Sequence, residues 1–192
     1  PVLLGQTSTE FMAAPDCKTD EALVKLAEDV FADRKEEFLS HFTRPATEES
    51  IFKEGNIHAI DFAIRAASVN NQKNGIDQPF YAYNADIPGW DNPGTFHSVD
   101  LWFFFETLAK CWRPFTGKHY DLARNMCDYW VNFIKTGDPN GLDSQKMELP
   151  YWPRLDENKP VRMLFKDDSR PVGWELTEIE KFLIGEYLKR EG

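Results

Sequence analysis

Residues 1–11 read PVLLGQTSTEF, an apolar run closed by glycine and followed by a polar loop that carries an acid, Glu10. A short continuous apolar run bounded by turn residues is the pattern of a strand covered on both faces. A chain that opens inside such a strand is expected to be the later part of a larger sheet. The next run of this kind, QPFYAYNA at 78–85, is β-favouring, opened by Pro79 and closed by the turn-rich NADIPGWDNPG at 84–94. It is expected to be a second buried strand.

Helical spacing fills the interval between the two. DEALVKLAEDVFADRKEEFLSHF (20–42) repeats apolar residues at Leu23, Leu26, Ala27, Val30, Phe31 and Phe38, with Asp20 as its expected N-cap. EESIFKEGNIHAIDFAIRAASVNNQ (48–72) reads as a second amphipathic helix with Phe52, Ile60, Ala63 and Ile64 inward. Beyond the second strand, VDLWFFFETLAKCW (99–112) is expected to be a short buried helix. A long amphipathic helix follows at 120–138, with Leu122, Met126, Tyr129, Trp130 and Phe133 on its apolar side and a stop at Gly137 and Pro139. Residues 150–176 are turn-rich, with one short strand at VRMLF (161–165), and read as a surface β excursion before a last helix at 176–190. Strands alternating with helices place the chain in the α/β class.

Composition narrows the function. The balance of 22 Lys+Arg against 32 Asp+Glu gives a net charge of −10, and no basic stripe is interleaved with aromatics, so no nucleic acid partner is expected. No apolar run approaches the roughly 20 residues of a membrane span, and a soluble chain is expected, cytoplasmic or secreted. Cys17, Cys111 and Cys127 form no C-x-x-C pair and stand in no metal-ligand spacing with the four histidines, which argues against a zinc site.

His97 lies behind a Gly/Pro turn at the mouth of an aromatic run, GTFHSVDLWFFF (94–105). Alone, it reads first as a turn histidine packed on Phe96 and Trp102, and Glu10 first as a carboxylate on the approach to a helix. Both, however, follow strands, and in open α/β sheets sites are built in the loops beyond the carboxyl ends of strands. His41, His58 and His119 read as surface or packing residues. Trp90, Trp102 and Trp112 read as core or pocket wall.

Three strings, in order, carry a resemblance: PVLLGQTSTEF, GTFHSVDLWFFF, and YWVNFIKTGDPNG (129–141) followed by YWPRL (151–155). Together they resemble the C-terminal part of the type-B carboxylesterases, the cholinesterase-like and para-nitrobenzyl-esterase-like branch of the α/β-hydrolases. The resemblance implies that residues 1–192 are the last strands of the central sheet plus flanking helices of an α/β-hydrolase fold. It implies Glu10 as the triad acid, His97 as the triad base, and Asp100 as an acid supporting the histidine segment. Phe96, Trp102 and Phe103 become candidates for the substrate pocket, and Ser98 is expected to be a turn residue. No metal or organic cofactor is implied. The nucleophile elbow G-x-S-x-G is nowhere among the 192 residues, nor is an HGGG-like oxyanion segment. In the resembled family both lie upstream, so the implied partners are an N-terminal half, in the same or a separate chain, and a small-molecule ester. A catalytically inactive cholinesterase-like binding or adhesion module is the alternative, and retention of both Glu10 and His97 weighs against it.

Overall fold

The computed structural model describes residues 1–10, 12–87 and 95–191. They sort into two compact units. One comprises residues 1–10 and 67–175, the other 11–66 and 176–192.

The first unit holds a four-stranded sheet. Strands β1 (Val2–Thr7), β4 (Phe80–Ala85), β5 (Val161–Phe165) and β6 (Ser169–Gly173) lie side by side in that order, and the two-stranded pair β2 (Met12–Ala13) and β3 (Ile57–His58) belongs to the other unit. β1 and β5 both run parallel to β4, with Gly5 opposite Tyr83 and Tyr83 opposite Met163. As expected, β4 is buried along its whole length. β1 is only partly covered, its Leu4 exposed. A Cβ on Gly5 would sit 2.3 Å from Tyr83 Cδ1 and from the Tyr83 carbonyl oxygen, so glycine is what lets the tyrosine ring lie across β1.

β5 is a correction to the sequence reading. It is no surface excursion: Met163 and Phe165 are fully buried in the core beneath the sheet. It turns back antiparallel into β6, with Val161 opposite Gly173. Pro171 concealed β6, yet proline is tolerated on an edge strand, where its missing N–H faces away from the ladder.

Two helices cover this face, α5 (Asp100–Phe104) and α6 (Gly117–Thr136). α6 buries Leu122, Met126 and Tyr129 as expected, with Trp130 and Phe133 partly buried against the same core. It ends at Gly137 with φ 78°, the left-handed conformation that glycine adopts without strain. α5 is shorter and less buried than expected. Phe103 and Phe104 point inward while Leu101 and Phe105 are exposed, because Glu106 at φ 48° turns the chain before a second helical turn forms. Trp112, expected in the core or a pocket wall, is 75% exposed. Trp90 lies outside the described residues.

The second unit packs α1 (Asp20–Phe31), α2 (Lys35–Leu39), α3 (Glu48–Gly55) and α7 (Glu178–Glu191) around Leu23, Ala27, Phe38, Ile51 and Phe182. The expected single helix over 20–42 is broken at Ala32, whose φ of 47° interrupts the helical path. Its N-cap is Thr19, whose Oγ1 accepts from Ala22 N at 3.3 Å. Asp20 is already helical and instead anchors the 44–46 loop, pairing with Arg44 and accepting from Ala46 N at 2.7 Å. The expected helix over 48–72 is likewise two, α3 and α4 (Ala59–Lys73), separated where Ile57–His58 pairs with Met12–Ala13. Among the described residues no helix is long and apolar enough to cross a membrane.

Candidate functional site

β1 and β4 end side by side, and the chain leaving each end carries one half of the site. After β1 come Ser8, Thr9 and Glu10. Ser8 N still bonds Ala85 O at 2.9 Å, continuing the ladder one residue past the strand. Ser8 Oγ donates to Asp86 Oδ1 at 2.9 Å and Lys166 Nζ to Asp86 Oδ2 at 2.7 Å, so the ends of β1, β4 and β5 are tied through one carboxylate. Lys166 foremost, then Ser8, holds that carboxyl below the usual carboxylate range.

The Glu10 side chain is buried, and both of its carboxylate oxygens are hydrogen-bonded. Its Oε2 lies 2.7 Å from His97 Nδ1, and Thr7 Oγ1 donates to its Oε1 at 3.0 Å. The two side chains differ in exposure: that of Glu10 is 5% accessible, that of His97 58%. A carboxylate on Nδ1 places the proton there in neutral imidazole and leaves Nε2 as a base. The pair therefore presents an oriented proton acceptor, carried on an exposed ring and fixed from behind by a buried anion.

The segment around His97 is a tight turn. Ser98, expected as a turn residue, has φ 67°, and Val99 N bonds Phe96 O at 3.1 Å. A non-glycine residue held in this region is a form of local strain met at functional sites. Two residues on, Asp100 is buried and its Oδ2 accepts from the Tyr83 hydroxyl at 2.9 Å, which attaches the start of α5 to the central strand. Burial pushes the Asp100 carboxyl up, the bond from Tyr83 opposing this and the nearby Glu10 charge adding to it. Burial likewise pushes the Tyr83 hydroxyl up.

This has a consequence for stability. An acid whose folded pKa exceeds its unfolded value binds more protons when folded, so its contribution to stability falls as pH rises through the ordinary carboxyl range toward the raised value. Asp100→Asn removes that cost. The stability of the variant relative to wild type is expected to improve between pH 4 and pH 7, as read from urea midpoints at the two values. An unchanged difference would mean that Asp100 is not buried as a strained anion.

The aromatic candidates separate. Phe96 and Trp102 meet edge to face with ring centroids 6.0 Å apart, both half-buried, and the Arg113 guanidinium lies 4.6 Å from the Phe96 centroid. Phe103 is fully buried against Phe115 and His119, which corrects its reading as a pocket residue: it belongs to the core. His119 is itself buried and takes Thr116 N on its Nδ1 at 3.1 Å, capping α6. The sequence reading missed Thr7, Thr9, Tyr83 and Asp86. The hydroxyl-rich T-S-T run ahead of Glu10 was the available signal. Among the described residues no group of three or more His, Cys, Asp and Glu side chains is placed to hold a metal ion.

Comparison with known proteins adds to this geometry. A family model described as the carboxylesterase family matches residues 10–180. Carboxylesterase 4A of Bos taurus is 30% identical over 141 residues, which is 63% of this chain and 23% of that protein. Cocaine esterase of Homo sapiens is 33% identical over 69 residues, 35% of this chain and 11% of that protein. Among solved structures, a thermophilic PNB esterase superposes with a TM-score of 0.60 at 21% identity, covering 96% of this chain and 38% of that one. At that identity the likeness speaks for the fold, an α/β-hydrolase architecture of which this chain matches a part. The chain spans less than a quarter of the length of these curated relatives.

Proposed function

This chain belongs to the carboxylesterase family, and from that membership we propose that it supplies the acid and the base of a serine carboxylester hydrolase whose nucleophile lies in a partnering N-terminal half. The single observation that carries the proposal is the 2.7 Å contact between Glu10 Oε2 and His97 Nδ1. In this reading Nε2 of His97 accepts the proton of a serine hydroxyl as its oxygen attacks the ester carbonyl. Glu10 stabilises the resulting imidazolium. The proton passes to the departing alcohol, and water repeats the sequence to release the acid. Thr7 keeps the second oxygen of Glu10 occupied, so the carboxylate faces the ring in one orientation. Asp100 supports the histidine segment through Tyr83, and the Phe96–Trp102 pair beside His97 forms one wall for an apolar part of a small-molecule ester. No metal or organic cofactor takes part.

A fluorophosphonate probe tests this. The full-length protein is expected to be labelled on one serine outside residues 1–192, and the 192-residue chain alone to remain unlabelled, since it carries no nucleophile elbow. Labelling of a serine within this chain would displace the nucleophile from the proposed half. An unlabelled full-length protein would leave the inactive binding-module reading in its place.

A further inference from the structure

We propose that Thr9 is a positioning residue: its hydroxyl, bonded to the carbonyl oxygen of Thr95, sets the register between the segment that carries Glu10 and the segment that carries His97. The inference deepens the esterase reading and rests on it for its kinetic arm.

The two segments are distant in sequence, and among the described residues their backbones pair at one parallel bridge, Thr9 against Phe96. Beside the Glu10–His97 contact itself, the junction centres on one carbonyl. Thr95 O accepts from Thr9 Oγ1 at 2.6 Å and from Thr9 N at 3.3 Å. The side-chain bond is the short one, and the backbone bond is at the long end of the range. The accepting residue is itself fixed: Thr95 is buried, and its own hydroxyl donates to Ile87 O at 2.9 Å. Thr95 is thus an anchored reference point just beyond β4, and Thr9 measures the Glu10 segment against it.

Other bonds have a different role. Ser8–Asp86 ties the chain leaving β1 to the end of the sheet, and Tyr83–Asp100 ties α5 to β4. Each fixes a segment to the strands. The Thr9–Thr95 contact joins segment to segment, one residue before Glu10 and two before His97. A slip there changes the Nδ1–Oε2 distance directly. Thr9 is solvent-exposed, so its side chain adds little to the core, and its hydroxyl is what it contributes to the junction.

Thr9→Val keeps the β-branched shape and removes the donor, and Thr9→Ser keeps the donor and removes the methyl. Both are made in the full-length protein and read in two ways. With a short-acyl p-nitrophenyl ester, Thr9→Val is expected to lower kcat about 10-fold to 100-fold with KM little changed, since a misplacement on the order of 1 Å has effects of that size. Thr9→Ser is expected to stay within about threefold of wild type on the same scale. Independently of any activity, the proton on His97 Nδ1 is followed by NMR as a low-field signal, expected to persist in Thr9→Ser and to broaden or vanish in Thr9→Val. Wild-type kcat and an intact signal in Thr9→Val would overturn the proposal. So would an equal loss in both variants, which would assign the effect to side-chain shape. Loss of the signal in Thr9→Val alone, in a protein that hydrolyses no ester, supports the role of Thr9 and sinks only the esterase reading.

Discussion

Replacing His97 by alanine in the full-length protein is expected to lower kcat for ester hydrolysis by about 10⁴-fold or more, the scale on which a serine hydrolase loses activity when its base is removed. The size follows from what the ring does in the proposed mechanism. Without Nε2 the serine hydroxyl has no acceptor for its proton, and without an imidazolium the leaving alcohol has no donor. Glu10→Gln attacks the same unit from behind, since an amide on Nδ1 no longer favours the charged ring. Residues that act as one unit are not additive, so the double variant Glu10→Gln/His97→Ala is expected to be no slower than His97→Ala. Removing the ring leaves the Glu10 side chain, 5% accessible, without this partner, so a lowered thermal unfolding midpoint is expected and rates are compared on folded protein. Initial rates with a p-nitrophenyl ester provide the measurement. A loss below about tenfold would remove His97 from the chemistry.

Much of this arrangement was legible in the sequence, for identifiable reasons. β4 declared itself because FYAYNA is continuously β-favouring and is buried along its length, and α6 because its apolar period persists to a glycine stop. The helix breaks at Ala32 and Gly55 were hidden. Ala32 belongs to a residue type that favours helix, and the strand pairing of Ile57 with Ala13 is a long-range event with no local signature. β5 and β6 were misjudged for a related reason: turn residues crowd their flanks, and only parallel pairing with β4 reveals that Met163 and Phe165 lie in the core. The pairing of Glu10 with His97 was of a third kind. Nothing in the spacing of two residues 87 apart brings them together, and their juxtaposition was anticipated from the resemblance of the strings around them. The hydroxyls that orient them, on Thr7, Thr9 and Tyr83, carry no such signature, because a threonine in a loop and a tyrosine in a strand are common whatever they bond.

The largest effect on stability is expected from Trp152→Ala, about 3–5 kcal/mol in the full-length protein. Trp152 is fully buried, in the YWPRL turn, and its ring meets Tyr129 at 5.3 Å and Phe165 at 5.5 Å between centroids. Its indole N–H donates to Ala82 O on the central strand at 3.1 Å, so truncation opens a cavity and also removes the donor from a buried carbonyl. The turn is held reciprocally: Asn140 Oδ1 accepts from Trp152 N at 2.7 Å and Asn140 Nδ2 donates to Trp152 O at 2.9 Å. Asn140, in the GDPN stretch at 137–140, thus presents the side chain that clamps the backbone of Trp152. Trp152→Phe retains most of the ring contact and loses the N–H, so it is expected to cost about 1–3 kcal/mol. Denaturant midpoints at fixed m-value give the comparison, and a cost below about 1 kcal/mol for Trp152→Ala would show that the sheet does not depend on this ring. The two large effects should separate cleanly. His97→Ala removes turnover from the folded molecules themselves, whereas Trp152→Ala lowers the folded fraction while the molecules that stay folded keep Glu10 and His97 in register through Thr9 and Thr95.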